Sequence, residues 1–93
     1  MFGLTVSHRY LLYGVATDMR KGFDGLSGLV RNRLSGDPQS GDVFIFVNRG
    51  RDKIKLLHWT GSGYVLYYKR LESGRKRVAK YNNALGHMLT ILQ

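Results

Sequence analysis

The stretch that decides the fold is GDVFIFVNRGRDKIKLLHWTGSGYVLYYKRLESGR, residues 41–75. It contains three runs that are dense in β-branched and aromatic residues, at 42–48, 52–60 and 64–71, a composition typical of strands. The sequences RGRD and GSG separate these runs, and both suit tight turns between antiparallel strands. The stretch therefore predicts an antiparallel meander of three strands.

Side-chain alternation along the middle run assigns its residues to two faces of the predicted sheet. Lys53 and Lys55 fall on one face, whereas Ile54 and Leu56 fall on the other. We expect Ile54 and Leu56 to point into the core, towards a helix. The face opposite the helix is then expected to be at least partly solvated, as is common in antiparallel sheets.

The segments before the meander predict a further strand and a helix. Residues 8–17 are rich in Tyr, Leu and Val, which favours a strand. Residues 19–35 carry apolar side chains at helical spacing, with Asp18 as the candidate N-cap. Gly36 followed by Pro38 is a strong signal for the end of that helix.

The predicted fold class is α+β, in a single domain, 1–93. An antiparallel sheet of about four strands, formed by the meander 42–71 plus strand 8–17, packs on helix 19–35. Apolar residues at helical spacing near the end of the chain predict a short C-terminal helix in addition.

Composition argues against several kinds of site. The chain has no Cys, so neither a disulfide framework nor a thiolate metal site can form. The three His residues lack metal-ligand spacing, and the six carboxylates lie mostly at turns or caps. We therefore expect no catalytic residues, no metal and no cofactor, and a small nuclease is the least favoured reading. Without a signal peptide or a long apolar run, the expectation is a cytoplasmic protein that does not associate with membranes.

Charge is distributed unevenly along the chain, which has a net charge of +9. Residues 49–93 carry ten basic and two acidic side chains, whereas residues 1–48 carry five basic and four acidic ones. Such a field is typical of a protein with a polyanionic partner, and nucleic acid is the first candidate. A basic protein that is merely soluble is the alternative interpretation.

The basic side chains are expected to gather at one end of the sheet. In an antiparallel meander, the RGRD turn lies beside the end of the strand 64–71. Phosphate contacts by such a patch would make binding strongly dependent on salt. The candidate nucleic-acid-binding residues are Arg49, Arg51, Lys53, Lys55, Lys69, Arg70, Arg75, Lys76 and Arg77. A solvated face that prevents edge-to-edge association is the alternative.

A second group of residues suits contact with a partner. Aromatic residues of the meander offer surfaces for base stacking, with core packing as the alternative. Arg20 and Lys21 lie at a predicted helix start, where cations are slightly unfavourable. Either a partner contact or a salt bridge to Asp18 or Asp24 would explain them. The candidate partner-binding residues are Arg20, Lys21, Trp59, Tyr64 and Tyr68.

Two blocks carry a family resemblance, DMRKGFDGL at 18–26 and the whole stretch 41–75. The second block contains a Phe-x-Phe strand, an Arg-Gly-x-x-Lys-x-Lys hairpin, a Trp before a Gly turn, and Lys-Arg-Leu-Glu-x-Gly-Arg. In order and spacing the chain resembles the TnpB-type accessory proteins of a large bacterial insertion-sequence family, the one numbered sixty-six. The chain departs from that family after Gly-Arg, where an aromatic residue and a Trp-Pro pair usually follow.

The resemblance implies a role in transposition beside a separately encoded transposase, and it supplies no catalytic mechanism. DNA and the transposase of the same element are the expected partners, and the sequence gives no oligomeric state. Two functions stay open. The protein either binds DNA through its basic hairpin face, or it is a protein–protein adaptor that contacts the transposase without touching DNA.

Overall fold

A computed structural model describes residue 4 and residues 7–72. Within this part of the chain the elements are β1 (Tyr10–Leu12), α1 (Phe23–Asn32), β2 (Val43–Val47), β3 (Lys53–Trp59) and β4 (Tyr64–Arg70). The α+β class is confirmed, as is the predicted meander. The predicted C-terminal helix lies outside the described residues.

The four strands form one sheet in the order β1-β2-β3-β4. The pairs β2–β3 and β3–β4 are antiparallel, but β1 runs parallel to β2, with Tyr10 opposite Val43 and Leu12 opposite Ile45. The prediction of an antiparallel sheet is therefore wrong for β1. The physical reason is the connection, because α1 carries the chain back to the end of the sheet at which β1 began.

The helix is shorter than the predicted 19–35. Its N-cap is Gly22, which makes no side-chain cap hydrogen bond, so the assignment of Asp18 as the cap is wrong. The turn before the helix is held by a lysine of β3 instead, as described below. At the other end, the N–H of Gly36 donates to the Val30 carbonyl (3.0 Å) and Ser35 has a φ of 50°, a backbone conformation that ends the helix.

Apolar side chains are buried on both faces of the sheet. The layer shared with the helix consists of Leu26, Val30, Phe44, Phe46 and Leu57. The opposite face carries Val43, Ile45, Val47, Ile54 and Leu56, each no more than 1% exposed. The prediction that Ile54 and Leu56 point towards the helix is therefore wrong. The run VFIFV of β2 is apolar on both faces, so the sequence does not reveal which face the helix covers.

No helix in the described part of the chain is both long enough and apolar enough to cross a membrane.

Candidate nucleic-acid interface

The turn between β2 and β3 has arginines at its tip, residues 49–51, which we call the apex. Hydrogen bonds between the residues on either side of the tip hold the turn together. The Asn48 Oδ1 accepts from the N–H groups of Asp52 (3.1 Å) and Lys53 (3.0 Å), and its Nδ2 donates to Asp52 Oδ1 (2.7 Å). The N–H of Arg51 donates to the Asn48 carbonyl (3.1 Å). Arg49 and Arg51 are exposed at the apex. Asn48 and Asp52 thus fix the backbone that presents these two guanidinium groups.

This turn lies beside the end of β4, as antiparallel connectivity predicts. The N–H of Leu71 donates to the Asp52 carbonyl (2.7 Å), and Lys53 is opposite Arg70 in the register. Strand alternation divides the basic residues of β4, however. Arg70 shares the helix-side face with Lys53, whereas Lys69 is opposite Ile54 on the other face. The predicted single patch is therefore divided between two faces.

Arg70 is already engaged by a neighbouring carboxylate. Its Nε and Nη2 donate to Glu72 Oε1 at 2.8 and 2.7 Å, and this pairing raises the pKa of Arg70. Both side chains are largely exposed, so solvent screens the pair and a phosphate can compete for the guanidinium. The remaining candidates of the basic run, Arg75, Lys76 and Arg77, lie outside the described residues.

Lys55 occupies a position that the charge pattern did not predict. Its side chain is on the helix side of β3 and only 6% exposed. The Nζ donates to the carbonyls of Met19 (2.6 Å) and Lys21 (2.7 Å), and it lies 4.6 Å from the ring centroid of Tyr68. These contacts supply the partners that a buried ammonium requires. The burial is incompatible with the predicted phosphate contact, and Lys55 instead holds the turn before α1 on the sheet.

That turn is organised by an ion pair between neighbouring residues. The Arg20 N–H donates to Asp18 Oδ1 (2.9 Å), while its Nε and Nη2 reach Asp18 Oδ2 at 3.0 and 2.6 Å. The guanidinium and this N–H lower the pKa of Asp18 to about 2. Of the two explanations left open for Arg20, the salt bridge to Asp18 is present. Lys21 is exposed, and its N–H closes the turn on the Asp18 carbonyl (3.2 Å).

The two turns form the walls of an open pocket of about 430 Å³. The N–H of Thr17 donates to the Val47 carbonyl (2.8 Å), which places the turn that follows against the β2–β3 apex. The lining residues that matter chemically are Asp18, Arg20, Asn48, Arg49, Lys53 and Tyr68. Three are cationic and one is anionic. The pocket therefore joins the two blocks of sequence on which the family resemblance rests.

The aromatic candidates separate into two locations. Tyr68 lines the pocket and is 52% exposed. Trp59 and Tyr64 lie at the opposite end of the β3–β4 hairpin, with ring centroids 5.0 Å apart, and Phe23 stacks on Tyr64 at 6.4 Å. The five predicted partner-binding residues are therefore divided. Arg20, Lys21 and Tyr68 belong to the pocket end, and Trp59 and Tyr64 belong to a second, aromatic surface.

Sequence reasoning missed the side chains that shape the site. Asn48 and Asp52 flank the apex, and Asn and Asp are favoured at turns because their side chains bond to nearby backbone, a signal that could have identified them. No comparable signal marks Lys55, because its partners are backbone carbonyls 34 and 36 residues away. Among residue 4 and residues 7–72, no group of three or more His, Asp or Glu side chains could hold a metal ion.

Comparison with known proteins places the chain in a family. A family model described as IS66 Orf2 like protein matches residues 8–91. Two uncharacterized proteins of Sinorhizobium fredii (strain NBRC 101917 / NGR234) are similar. The protein y4jC is 37% identical over 75 residues, which is 81% of this chain and 64% of y4jC. The protein y4hO is 39% identical over 59 residues, which is 63% of this chain and 51% of y4hO.

The chain thus spans between about half and two-thirds of the length of these relatives. No solved structure matches it. The family match extends over the strands, the helix and both turns of the pocket. On this basis, the chain belongs to the IS66 Orf2-like protein family.

Proposed function

We propose that the protein is a transposition accessory factor that binds DNA through the pocket end of its sheet. Membership of the IS66 Orf2-like family supports the accessory role. The observation that carries DNA binding is the meeting of the Asp18–Lys21 turn and the β2–β3 apex around one cationic surface. We call this surface the cationic end. Its basic residues are Arg20, Arg49, Arg51, Lys53 and Arg70.

The charge of the cationic end sets the expected strength of its salt dependence. Asp18 and Glu72 each pair with one of its guanidinium groups, and the Asp52 carboxylate lies 3.8 Å from the Lys53 ammonium. We therefore expect about three to four phosphate contacts rather than five. At about 0.9 counterions released per phosphate, affinity for duplex DNA should fall by about 40- to 150-fold between 50 and 200 mM salt.

The test is a fluorescence anisotropy salt series with the full chain and duplex DNA from the ends of the element. Replacing Arg49 and Lys53 together with Ala should reduce the slope of log affinity against log salt by about two. Arg31→Ala is the matched control, because Arg31 is an exposed cation in the last turn of α1. It should leave the slope unchanged. Absence of binding at low salt, or equal slopes for both variants, contradicts the proposal.

A second candidate function is an adaptor that contacts the transposase without touching DNA. The observation that favours it is the aromatic surface formed by Phe23, Trp59 and Tyr64, in which Phe23 is 48% exposed. Trp59 and Tyr64 are half-buried beside it, and aromatic side chains are enriched at protein interfaces. Co-purification with the transposase tests it. Capture that survives loss of Arg49 and Lys53 but fails with Trp59→Ala would make this the function, in place of DNA binding.

A further inference from the structure

We propose that the pocket at the cationic end takes one unpaired nucleotide, with its base on Tyr68 and its phosphate on Arg49 and Lys53. This inference rests on the proposed function and narrows the ligand to DNA that is single-stranded or frayed. Its starting observation is that the pocket combines cations with an exposed ring. Cations that track a backbone and aromatic rings that accept bases are the two components of single-strand recognition.

The environment of Tyr68 suits base stacking. The Lys55 ammonium lies over one face of the ring, 4.6 Å from the centroid. Tyr68 stays 52% exposed despite this contact, so much of the residue is accessible to a ligand. Because Lys55 is itself fixed by the carbonyls of Met19 and Lys21, the ring is supported from beneath. A ring that is held in place and still largely exposed offers stacking area at little entropic cost.

The cations of the pocket suit a phosphate beside that base. Arg49 is exposed at the apex, and the Lys53 side chain is 35% exposed with only a 3.8 Å contact to Asp52. The guanidinium of Arg20 is fixed by Asp18 through Nε and Nη2. Arginine has five N–H donors in all, so donors remain for a second oxygen ligand. Three cations line the pocket against the Asp18 carboxylate and the adjacent Asp52 carboxylate, so a net positive charge remains to attract an anion.

The size of the pocket and the Asn48 amide that lines it limit which ligands the pocket can recognise. A volume of about 430 Å³ is at the lower end of the range for small-molecule sites. A base stacked inside a duplex cannot enter such a pocket without leaving its pair, and the lost pairing and stacking disfavour duplex as the ligand. The Asn48 amide is already bonded to Asp52 and to the backbone. Its oxygen already accepts two hydrogen bonds and one of its two N–H groups is used, so it cannot make the bidentate contact that reads a base edge. We therefore expect binding that tolerates any sequence.

The test compares single-stranded and duplex DNA of one sequence by anisotropy, with the full chain at constant salt. Tyr68→Ala should weaken single-strand binding by about 5- to 150-fold, which corresponds to 1–3 kcal/mol of stacking. Duplex affinity should change less than about twofold. Tyr68→Phe keeps the ring and should bind as the original protein does. Val65→Ala is the control for β4, because Val65 is exposed on the opposite face.

The possible outcomes separate this inference from the proposed function. If Arg49→Ala weakens binding to both forms of DNA while Tyr68→Ala changes neither, DNA binding stands and the nucleotide pocket is refuted. An equal loss for both forms with Tyr68→Ala also refutes the pocket. If neither form binds at low salt, both proposals are wrong. A competition assay gives a further outcome. If poly-glutamate displaces the bound single-stranded DNA as efficiently as an oligonucleotide of equal charge does, the pocket is a site for an acidic peptide and the inference is overturned.

Discussion

Replacing Lys55 with Met tests how the pocket is assembled. Methionine keeps most of the apolar stem but has no ammonium to donate. The change removes the bonds to the carbonyls of Met19 (2.6 Å) and Lys21 (2.7 Å), together with the contact to the Tyr68 ring. We therefore expect the turn before α1 to lose its attachment to β3. The stability of the fold and the shape of the pocket should both suffer.

The magnitude follows from two opposing terms. Hydrogen bonds from a charged donor contribute about 1.5–3 kcal/mol each, and a cation over an aromatic ring contributes about 0.5–2 kcal/mol. Against this loss, the variant no longer buries a charge, which relieves several kcal/mol of desolvation. Lys21 is exposed, so water can bond to its freed carbonyl. We expect the free energy of unfolding to fall by about 1–3 kcal/mol.

The assay is urea denaturation of the full chain, with DNA binding measured where the variant is folded. Lys53→Met is the matched control, because Lys53 lies on the same face of the same strand but is partly exposed. Its ammonium makes a weak contact, at 3.8 Å, with the partly exposed Asp52 carboxylate. It should change stability by less than about 0.5 kcal/mol. Equal effects of the two substitutions would refute the reasoning. So would a more stable Lys55→Met variant, because desolvation would then outweigh the hydrogen bonds.

Three further predictions concern the helix and the two turns. Gly28→Ala should raise the free energy of unfolding by about 0.5–1 kcal/mol, because a Cβ there meets nothing within 4 Å. Gly25→Ala should gain less, because its Cβ would approach a lysine side chain at 3.1 Å. Equal gains for the two variants in denaturant melts would contradict this. Arg20 lowers the pKa of Asp18 to about 2. The ionised Asp18 carboxylate therefore stabilises the fold above about pH 4, and this contribution is lost as the pH falls through 2. A carboxyl NMR titration of Asp18 with a midpoint near 4 would disprove the pairing. Asn48→Ala removes three side-chain hydrogen bonds from the apex and should cost about 1–3 kcal/mol in a thermal melt, and a loss under about 0.5 kcal/mol would show that they do not fix it.

The meander was predictable because its signals are local. Turn residues separate three apolar runs, and antiparallel connectivity alone places the β2–β3 apex beside the end of β4. The direction of β1 was not predictable in the same way. The residues Tyr10–Leu12 themselves do not indicate whether the strand runs parallel or antiparallel to β2. The face of the sheet that the helix covers was not predictable either. Ile54 and Leu57 are both fully buried, on opposite faces of β3.

The candidate site was predicted in part. Charge placement drew attention to the apex, whose arginines are exposed, yet it treated every lysine of β3 as solvated, and Lys55 is buried. Lys53 and Lys55 are two residues apart on one face, and only the second lies beneath the turn before α1. That difference depends on a contact between segments distant in sequence. The pocket itself depends on the same contact, so neither charge counting nor periodicity could have located it.

The central claim is that DNA binds at the cationic end of this fold. The most direct measurement is amide NMR of the full chain, titrated with short DNA at low salt. Shift changes should concentrate in the turn at residues 18–21, the β2–β3 apex and the end of β4 near Tyr68. Changes confined to the aromatic surface around Trp59 and Tyr64, or no changes at all, would contradict it.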